Sequence, residues 1–369
     1  MISVRWHSAA DVDERLCQAW TQLGMHAAQP DFYAMPQFVL PASRWLTPRN
    51  PARIAVVERR SGGLPELLGI GCFTHHGPTL FAPFPHLRCY RTRHTFQDGM
   101  LCVPGAEDEV AQALLDAATG AMRGAGAISL RNIPAEDPLF NALCARASAA
   151  GHGWYQLRAL ARPVLHRGPD GRFASRIPRR VVRDIERKRR RLEAMGKVSF
   201  RLFQNDDATD EVVARHLDIE HLGWKGQAGS SMRSSAAETA FFHDMCDRLR
   251  GTGGAVFCET LLDGRVIASA STFRAGGILN AFKTGHDPEF ANNSPGKANV
   301  LSLIEAMPEM LPDVRMFDSN SREDSFIGAM LPDRRNMLAG FLPLGRLARR
   351  ALEAARWIRP LAYRLDKDP

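Results

Sequence analysis

The stretch DGRVIASASTFRAGGILNAFKTGHDPEFANNSPGKANVLSLIEAM, residues 263–307, combines two strand-like segments with a polar loop and a helix. The helix begins at Ser294-Pro295-Gly296, where serine is a favoured N-cap, proline suits the first helical position and glycine lets a bulky group approach the backbone. We expect the N–H groups of Gly296, Lys297 and Ala298 to point outward at the positive end of the helix dipole. Lys297 is unfavourable there unless an anion is bound, so this start predicts a phosphate site.

Two apolar segments flank this helix and strengthen the prediction. Ile278–Lys283 leads into it through the loop, and Val314–Asp318 follows it as a short run that ends in a carboxylate. A strand-loop-helix-strand unit of this kind brings phosphate binding and chemistry into one crevice. An ordinary capped helix remains the alternative for the tetrapeptide alone. The spacing fits neither a Walker loop nor G-x-G-x-x-G, which disfavours nucleotide hydrolysis and dinucleotide binding.

Further short motifs occur in a fixed order along the chain. They are Trp224-Lys225-Gly226, a helix near 241–249, LLDGRVIA (261–268), FKTGHD (282–287), SPG (294–296) and FDS (317–319). In this order and spacing, residues 175–340 resemble the FemAB/CelD-like branch of the GNAT acyltransferases.

The resemblance implies a mixed α/β (α+β) protein with two GNAT-like domains in tandem, each a mostly antiparallel twisted sheet flanked by helices. It also implies acyl-CoA as co-substrate, with its pyrophosphate on the helix start at Pro295 and Gly296. A FemAB-type minority takes its acyl group from aminoacyl-tRNA instead. The chain departs from the family pattern at His286, where tyrosine is common, and at Ser325-Phe326, where a His-Pro pair often follows.

The length of 369 residues and the hydrophobic content of 45% favour two cores. A hairpin, helix, strand and helix occur in order over 53–150, and a related pattern follows Gly196. We therefore expect a degenerate N-terminal domain at 1–165, an acyl-CoA-binding domain at 166–344 and a basic C-terminal helix or tail at 345–369. The first copy contains no S-P-G-like helix start.

Cysteine usage and hydropathy indicate a cytoplasmic protein. The seven cysteines include no C-x-x-C pair, which argues against a zinc site or a disulfide framework, and we expect no metal cofactor. The N-terminal residues carry charges where a signal peptide needs an apolar stretch, and no run is long enough to span a membrane. Peripheral attachment at the inner membrane surface remains open.

The net charge of +8 is concentrated in one predicted helix between Arg172 and Lys197. Its apolar residues recur at near-helical spacing, which predicts one packed stripe: Ile177, Val181, Ile185, Leu192 and Met195. A solvated helix face is one interpretation. CoA phosphates, an acyl carrier protein, tRNA or anionic lipid headgroups are alternative partners for the arginines.

A second basic helix is predicted over Gly345–Ile358. Its predicted apolar face is Leu347, Ala351, Ala354, Ala355 and Ile358, and arginines 346, 349, 350 and 356 lie toward the other face. Docking on the second domain is one interpretation, and peripheral contact with an anionic membrane through residues 345–358 is the other.

Acyl transfer to an amine requires a proton acceptor, an oxyanion donor and a proton for the leaving thiolate. The candidate catalytic residues are Asp318, His286, His221 and Glu323. Asp318 and Glu323, with Asp324, would form a pocket for a cationic acceptor. Each histidine titrates near neutral pH and would act as a base. Each of these residues also has a purely structural interpretation.

The candidate binding residues fall into two groups. The predicted donor site comprises Ser294, Pro295, Gly296, Lys297, Ala298, Asn299 and, as a phosphate or carboxylate partner, Lys283. Trp224, with its neighbours Glu220 and Lys225, is predicted to line the acyl or acceptor slot. No serine lies in a G-x-S-x-G elbow and no cysteine has a histidine signature beside it, so direct transfer between two bound substrates is the simpler scheme.

These patterns predict an acyl-CoA-dependent N-acyltransferase that acts on an amine of a small molecule or an envelope precursor. Two alternatives remain open. One is a FemAB-like transferase that takes its acyl group from aminoacyl-tRNA, and the other is a noncatalytic module that binds an envelope-assembly partner.

Overall fold

The computed structural model describes residues 1–62, 65–79, 82–120 and 125–356. The chain divides into two compact units. Unit 1 comprises Met1–Ser43, Thr47–Leu160 and the residues from Asn336 onward, and unit 2 comprises Arg44–Leu46 and Ala161–Arg335.

Thirteen strands follow one another in the described part of the chain. They are β1 (Ile2–Ser8), β2 (Arg53–Arg59), β3 (Glu66–His76), β4 (His86–Cys89), β5 (Met100–Cys102), β6 (Ala127–Pro134), β7 (Tyr155–His166), β8 (Val198–Gln204), β9 (Ala255–Leu262), β10 (Arg265–Ala275), β11 (Ile278–His286), β12 (Met316–Asp318) and β13 (Asp333–Pro343).

Ten α-helices accompany these strands within the described ranges. They are α1 (Glu14–His26), α2 (Pro36–Pro41), α3 (Glu107–Gly120), α4 (Pro138–Ala149), α5 (Arg179–Glu193), α6 (Asp210–Leu222), α7 (Trp224–Gln227), α8 (Ala236–Arg250), α9 (Pro295–Met310) and α10 (Arg346–Ala355).

Unit 1 has a mostly antiparallel sheet in the order β1-β2-β3-β4-β6-β13, and β5 pairs with β3. Only the β4–β6 pair is parallel among the described strands of this unit. The core includes Phe73, Val110 and Leu143, so α3 and α4 pack on the sheet. The predicted β2–β3 hairpin is confirmed, although Gly63 of its turn lies outside the described residues.

Unit 2 has a sheet in the order β7-β12-β11-β10-β9-β8. Its strands pair antiparallel except for β11 and β12, which are parallel over three residues. β9 and β10 form a tight hairpin whose turn residues Asp263 and Gly264 both have positive φ, as a type I′ turn requires. The expected fold class, mixed α/β with mostly antiparallel sheets flanked by helices, is confirmed.

Helices cover both faces of the unit 2 sheet. Asn299 of α9 donates a hydrogen bond to the Cys258 carbonyl on β9. Phe257, which precedes Cys258 on β9, instead contacts His216 of α6 and Phe242 of α8. Because successive strand residues point to opposite faces, α9 lies on one face and α6 with α8 on the other.

The observed division differs from the expected boundaries at 165/166 and 344/345. Residues 337–343 of β13 pair antiparallel with β6, so the chain from Asn336 returns to unit 1. Leu352 of α10 packs with Tyr155 and Phe341 in the same unit. The C-terminal helix therefore packs within unit 1 instead of docking on the second domain, and residues 357–369 of the expected tail lie outside the described part.

Candidate functional site

The start of α9 has the predicted residues in a different arrangement. Pro295 is the first helical residue, as expected, and Ser294 precedes it in the left-handed region with φ 48°. The Ser294 carbonyl accepts the N–H groups of Lys297 and Ala298 at 3.0 and 3.3 Å. The prediction that these two groups point outward unpaired is therefore wrong. Among the described residues of this turn, Gly296 keeps the unpaired N–H that a helix start offers.

Ser294 also differs from prediction in its side chain. Its hydroxyl makes no capping hydrogen bond to the α9 backbone and instead accepts one from Lys188 Nζ at 3.1 Å. Lys188 belongs to α5, and its ammonium also pairs with Asp184 at 3.2 Å. A cation from a separate helix thus lies beside the positive end of α9, where only an anion would be electrostatically favoured. Sequence spacing gave no signal for this contact across 106 residues.

Gly296 faces the end of β11. A Cβ built on Gly296 would lie 3.8 Å from His286 Nδ1 and 4.0 Å from Thr284 Oγ1. A methyl group on Gly296 would therefore make ordinary van der Waals contacts. The structure brings two predicted site residues, Gly296 and His286, beside each other, and we call the surface around them the crevice.

The environment of His286 favours its neutral form. Its imidazole is half-buried, and burial lowers the pKa of His286 below its usual value of 6.5. The Asp287 carboxylate opposes this change and the Lys225 ammonium adds to it. A neutral imidazole near pH 7 can accept a proton, which is the property that a general base requires.

The strand β12 ends at Asp318, next to Asn280 of β11. Beyond Asn280, β11 pairs only with β10 among the described strands. Immediately after Asn280, the β10–β11 register shifts: Ser271 pairs with Lys283 and Thr272 with Ala281, which leaves Phe282 as an extra residue. Such a bulge leaves backbone groups of the extra residue outside the ladder. The carboxyl half of β11 can therefore offer N–H groups to a bound carbonyl.

The turn between α6 and α7 is anchored to β11. Lys225 Nζ donates to Glu220 Oε1 at 3.2 Å and to the Thr284 carbonyl at 3.1 Å, and Glu220 Oε2 accepts the Met232 N–H at 2.8 Å. Glu220 is buried and its carboxylate is fully engaged by these donors. The predicted substrate residues Glu220 and Lys225 thus hold the wall of the crevice.

Two glycines permit this close packing. A Cβ on Gly285 would lie 2.6 Å from the Glu220 Cα, so β11 and α6 are in backbone contact. A Cβ on Gly226 would collide with the His221 carbonyl oxygen. Both contacts involve backbone atoms, which cannot move aside as a flexible side chain would.

Two further predicted residues of this turn lie at the surface. His221 is exposed, and its Nδ1 is 2.7 Å from Ser231 Oγ. Trp224 is 69% exposed, so the prediction that it walls an enclosed slot is wrong. Helical spacing identifies neighbours along one element but does not reveal which face other elements cover.

Asp318 does not face the crevice as a free carboxylate. It is completely buried, and its Oδ2 lies 3.5 Å from Arg162 Nη1 and 3.3 Å from Arg335 Nη1. Its Oδ1 accepts the Asn320 N–H at 2.9 Å. Both of its oxygens are already engaged, by two guanidinium groups and a backbone donor, so the geometry argues against the predicted catalytic role.

The predicted acidic acceptor pocket does not form. Glu323 is exposed and pairs with Arg334 at 3.1 Å, and the exposed Asp324 lies 3.6 Å from Arg322. Together with the buried Asp318, no cluster of free carboxylates results among the described residues of this loop. The prediction of an acidic pocket failed because the sequence pattern did not show that Arg334 and Arg322 would lie beside Glu323 and Asp324.

Three other predicted donor-site residues also have different surroundings. Asn299 is buried, and its amide bridges Thr260 Oγ1 and the Cys258 carbonyl on the sheet. Ala298 packs in the unit 2 core. Lys283 is half-buried, with its Nζ 5.2 Å from the centre of the Phe282 ring. The side chains of Asn299 and Ala298 therefore stabilise α9 on the sheet and do not contribute donors at its start.

The arginine-rich segment forms the helix α5 over Arg179–Glu193 only, because Pro178 precedes its first residue. Ile177, Ile185 and Leu192 are buried as predicted, whereas Met195 is 56% exposed. At about 100° per residue, six exposed arginines fall within a sector of about 120° opposite the buried stripe. They are Arg179, Arg180, Arg183, Arg187, Arg190 and Arg191. Through Lys188, this arginine stripe adjoins the candidate donor site.

The basic helix α10 lines a separate groove of about 670 Å³ in unit 1 with residues that include His152, Trp154, Arg346, Arg349 and Arg350. Its buried residues are Ala348, Leu352 and Ala355. The predicted apolar face is therefore wrong for Leu347 and Ala354, which are exposed, while Ile358 lies outside the described residues.

The described residues contain no group of three or more His, Cys, Asp or Glu side chains suited to a metal ion. In the same ranges, no helix combines the length and the apolar character that crossing a membrane requires.

Comparison with known proteins assigns residues 179–324 to the family model described as "Acetyltransferase (GNAT) domain". This region contains α5, the strands β11 and β12, α9 and every residue of the crevice described above. No curated protein sequence matches the chain. The match supports an acyltransferase domain of the GNAT type over residues 179–324.

Solved structures extend the likeness in fold over most of the chain. FemX is 13% identical with a TM-score of 0.55, covering 89% of this chain and 94% of its own. The C-terminal domain of a putative lysylphosphatidylglycerol synthetase from Agrobacterium fabrum is 10% identical, with a TM-score of 0.53 and coverages of 92% and 95%. L-PGS from Bacillus licheniformis is 13% identical, with a TM-score of 0.50 and coverages of 94% and 97%. At these identities the likeness shows a shared fold.

Proposed function

We propose that the chain is an acyl-CoA-dependent N-acyltransferase of the FemAB/CelD-like branch, with the donor bound at the start of α9 and His286 as the general base. The observation that carries the proposal is the half-buried imidazole of His286 at the end of β11, beside Gly296 and with a pKa that burial lowers. The acceptor is an amine of a small molecule or an envelope precursor.

The residues at the start of α9 fit the pyrophosphate of an acyl-CoA. Gly296 offers an unpaired N–H and has no side chain to block the approach, while Lys188 and Lys297 supply positive charge from two helices. A phosphate at a helix N-terminus is stabilised both by the free N–H groups and by the dipole. The donor supplies the thioester whose acyl group is transferred.

Transfer requires three events at the crevice. His286 accepts a proton from the acceptor ammonium, which leaves a neutral nitrogen that can attack the thioester carbonyl carbon. Backbone N–H groups at the Phe282 bulge stabilise the negative charge that develops on the carbonyl oxygen. The new C–N bond forms, the C–S bond breaks, and the departing thiolate takes up one proton to become the free thiol.

The test is calorimetric binding of acetyl-CoA and a long-chain acyl-CoA to the purified protein, followed by detection of free thiol in the presence of candidate amines. Binding that disappears in Gly296→Leu and turnover that disappears in His286→Gln would support the proposal. The matched control for Gly296→Leu is Gly251→Leu, at the end of α8, where a Cβ would meet no atom within 4 Å. Unchanged acyl-CoA affinity in Gly296→Leu would overturn the assignment of the donor site.

The arginine stripe supports a second candidate, in which the donor is aminoacyl-tRNA. An exposed row of six arginines beside the α9 start suits a phosphate backbone as well as it suits CoA. Steeply salt-dependent tRNA binding, lost on Arg187→Gln, Arg190→Gln and Arg191→Gln, combined with no binding of either acyl-CoA, would favour this donor.

A further inference from the structure

Three large apolar side chains of unit 2 are exposed near the crevice instead of packing in a core. Met195 is 56% exposed, Leu222 is 51% exposed and Trp224 is 69% exposed. Single exposed apolar residues are common on protein surfaces and need no explanation. Their common position is informative here, because each lies next to a residue that borders the crevice.

Two contacts place the three side chains near the residues of the crevice. Gly223, between Leu222 and Trp224, would carry a Cβ 3.9 Å from the His286 carbonyl oxygen. At the α9 side, Asn293 Nδ2 lies 3.8 Å from Met195 Sδ, one residue before Ser294. The opening of the crevice between His286 and Gly296 is thus bordered by Leu222 and Trp224 at one end and by Met195 at the other.

Positive charge adjoins this apolar border. Arg191 lies one helical turn before Met195, and Arg187 and Arg190 continue the exposed stripe. Three nearby acids are paired: Asp184 with Arg187 and Lys188, Glu193 with Arg189, and Asp287 with Arg265. Glu186, also exposed on α5, adds one negative charge against these arginines. We call Met195, Leu222, Trp224, Arg187, Arg190 and Arg191 the site rim.

We propose that the site rim docks on an anionic lipid bilayer, so that the crevice opens at the membrane surface. Apolar side chains insert among the acyl chains, and arginines bind lipid phosphates, as in peripheral proteins that carry both features. The proposal rests on the proposed function in one respect, because it makes the bilayer the source from which a lipid-borne substrate enters the acyltransferase crevice.

The composition of the rim favours a bilayer over a nucleic acid. Proteins that bind single-stranded nucleic acid place aromatic rings where bases can stack. Here Trp224 is accompanied by the aliphatic Leu222 and Met195, which do not stack on bases but gain free energy when they leave water. Arginines alone would suit either polyanion, so the apolar residues decide between them.

The experiment is flotation of the full chain with vesicles of phosphatidylcholine alone and of an equimolar mixture with phosphatidylglycerol. We expect binding to the anionic vesicles only, weakened by salt. The double variant Met195→Ser, Leu222→Ser should weaken binding at least about tenfold. The triple variant Arg187→Gln, Arg190→Gln, Arg191→Gln should weaken it about a hundredfold, since each basic residue near an anionic surface contributes about fivefold.

Matched controls lie elsewhere in unit 2. Met310, at the opposite end of α9, is 44% exposed, and Arg322 has an exposed guanidinium. Met310→Ser and Arg322→Gln should leave vesicle binding unchanged. Absence of wild-type binding to anionic vesicles, or equal losses in the control and rim variants, would overturn the proposal. Binding of tRNA without vesicle binding, lost in the arginine triple variant, would replace the membrane by a nucleic acid.

Failure of this proposal is distinguishable from failure of the proposed function. Acyl-CoA binding is measured by calorimetry in the absence of vesicles on the same protein. Acyl-CoA binding without vesicle binding would overturn only the membrane proposal. Vesicle binding without acyl-CoA binding would overturn only the assignment of the donor.

Discussion

Lys188 Nζ donates a hydrogen bond to Ser294 Oγ at 3.1 Å and thereby connects α5 to the start of α9. The arginine-rich segment and the S-P-G helix start are separate features in the sequence, but in the structure they belong to one positively charged surface. Because the Lys188 side chain is only 21% exposed, its charge is screened less by solvent than those of the fully exposed arginines.

Lys188→Met should weaken acyl-CoA binding. Loss of one charged hydrogen bond to a phosphate costs about 1.5 kcal/mol, which is about tenfold in the dissociation constant. Calorimetry with acetyl-CoA measures the change. Arg179→Gln, which removes an exposed charge at the far end of α5, serves as the control and should leave the constant unchanged. Equal losses in the two variants would mean that net charge, and not the position of Lys188, determines binding.

Substitutions at Gly296 should separate stability from binding. An alanine fits, since its Cβ would meet nothing nearer than 3.8 Å, and it should stabilise the fold by about 0.5–1 kcal/mol through its better helix propensity. A leucine should instead fill the crevice before His286 and abolish donor binding. Thermal unfolding and calorimetry on both variants test this prediction. If the leucine variant does not fold, Gly296→Val replaces it in the binding measurement. Full acyl-CoA binding by Gly296→Val would contradict the proposed donor site.

The pH dependence of turnover should report His286. Because burial lowers its pKa, the imidazole stays neutral, and the enzyme active, below pH 6.5. The Lys225 ammonium disfavours the imidazolium, so removing this charge should raise the pKa and move the acidic limb of kcat/KM to higher pH. The double variant Glu220→Gln, Lys225→Met removes the charge without leaving the buried carboxylate unpaired.

Two further variants test this assignment. His286→Gln should lower kcat by about 10²–10⁴-fold and abolish the acidic limb. An acidic limb that survives in His286→Gln, or that stays in place in the double variant, would assign the base to another group. Exposed His221 provides the matched comparison, and His221→Gln should leave the profile unchanged.

Asp318→Asn should reduce stability more than catalysis. Asparagine would remove the negative charge that Arg162 and Arg335 contact, and breaking a buried ion pair in this way costs about 3–5 kcal/mol. Urea unfolding measures the loss, and the specific activity of the folded fraction should change little. Strongly reduced turnover in a variant of wild-type stability would return Asp318 to the catalytic residues. Asp324→Asn, an exposed carboxylate in the following loop, is the control for both measurements.

His216 should make the folded state sensitive to acid. Burial lowers the pKa of His216 to about 3, and the nearby ammonium groups of Lys225 and Lys283 contribute in the same direction. Below pH 6.5 the unfolded chain binds a proton that the folded chain does not accept until near pH 3. Stability should therefore fall as the pH decreases through this window, by about 1.4 kcal/mol per pH unit.

His216→Phe removes this proton uptake while it keeps an aromatic ring against Phe242 and Phe257. The variant will lose stability at every pH because Ser269 loses its partner, so the informative quantity is the slope of unfolding free energy against pH. The slope should decrease by about 1.4 kcal/mol per pH unit between pH 4 and 6. Identical slopes in the variant and the wild type would show that His216 is protonated in the folded state.

Local chemistry made the start of α9 predictable from sequence. Proline at the first helical position and glycine at the second constrain the backbone through interactions within one turn, and the structure retains both residues there. The strands β11 and β12 were predictable for the same reason, because their apolar runs are contiguous. The position of His286 beside Gly296 follows, since only ten residues separate the two.

Roles that depend on distant residues were not predictable. Asp318 resembles a catalytic carboxylate until Arg162, 156 residues earlier, and Arg335 are placed beside it. Leu347 fits an apolar helical stripe, yet the elements packed on α10 cover another face of that helix. Met195 fits the buried stripe of α5 but lies beyond the end of that helix at Glu193. Periodicity identifies which residues share a face, but contacts formed across the fold determine which face is buried.

The residues around the crevice differ in how many substitutions they tolerate, and Gly285 and Gly226 tolerate the fewest. At each position the missing Cβ allows two backbone segments to touch, so almost any replacement would displace α6 from β11 or distort its final turn. The exposed positions Leu222 and Trp224 carry no such constraint. Related proteins with this fold can therefore acquire new substrates through substitutions at the border of the crevice. The positions of Gly285 and Gly226, where backbone segments touch, admit only glycine.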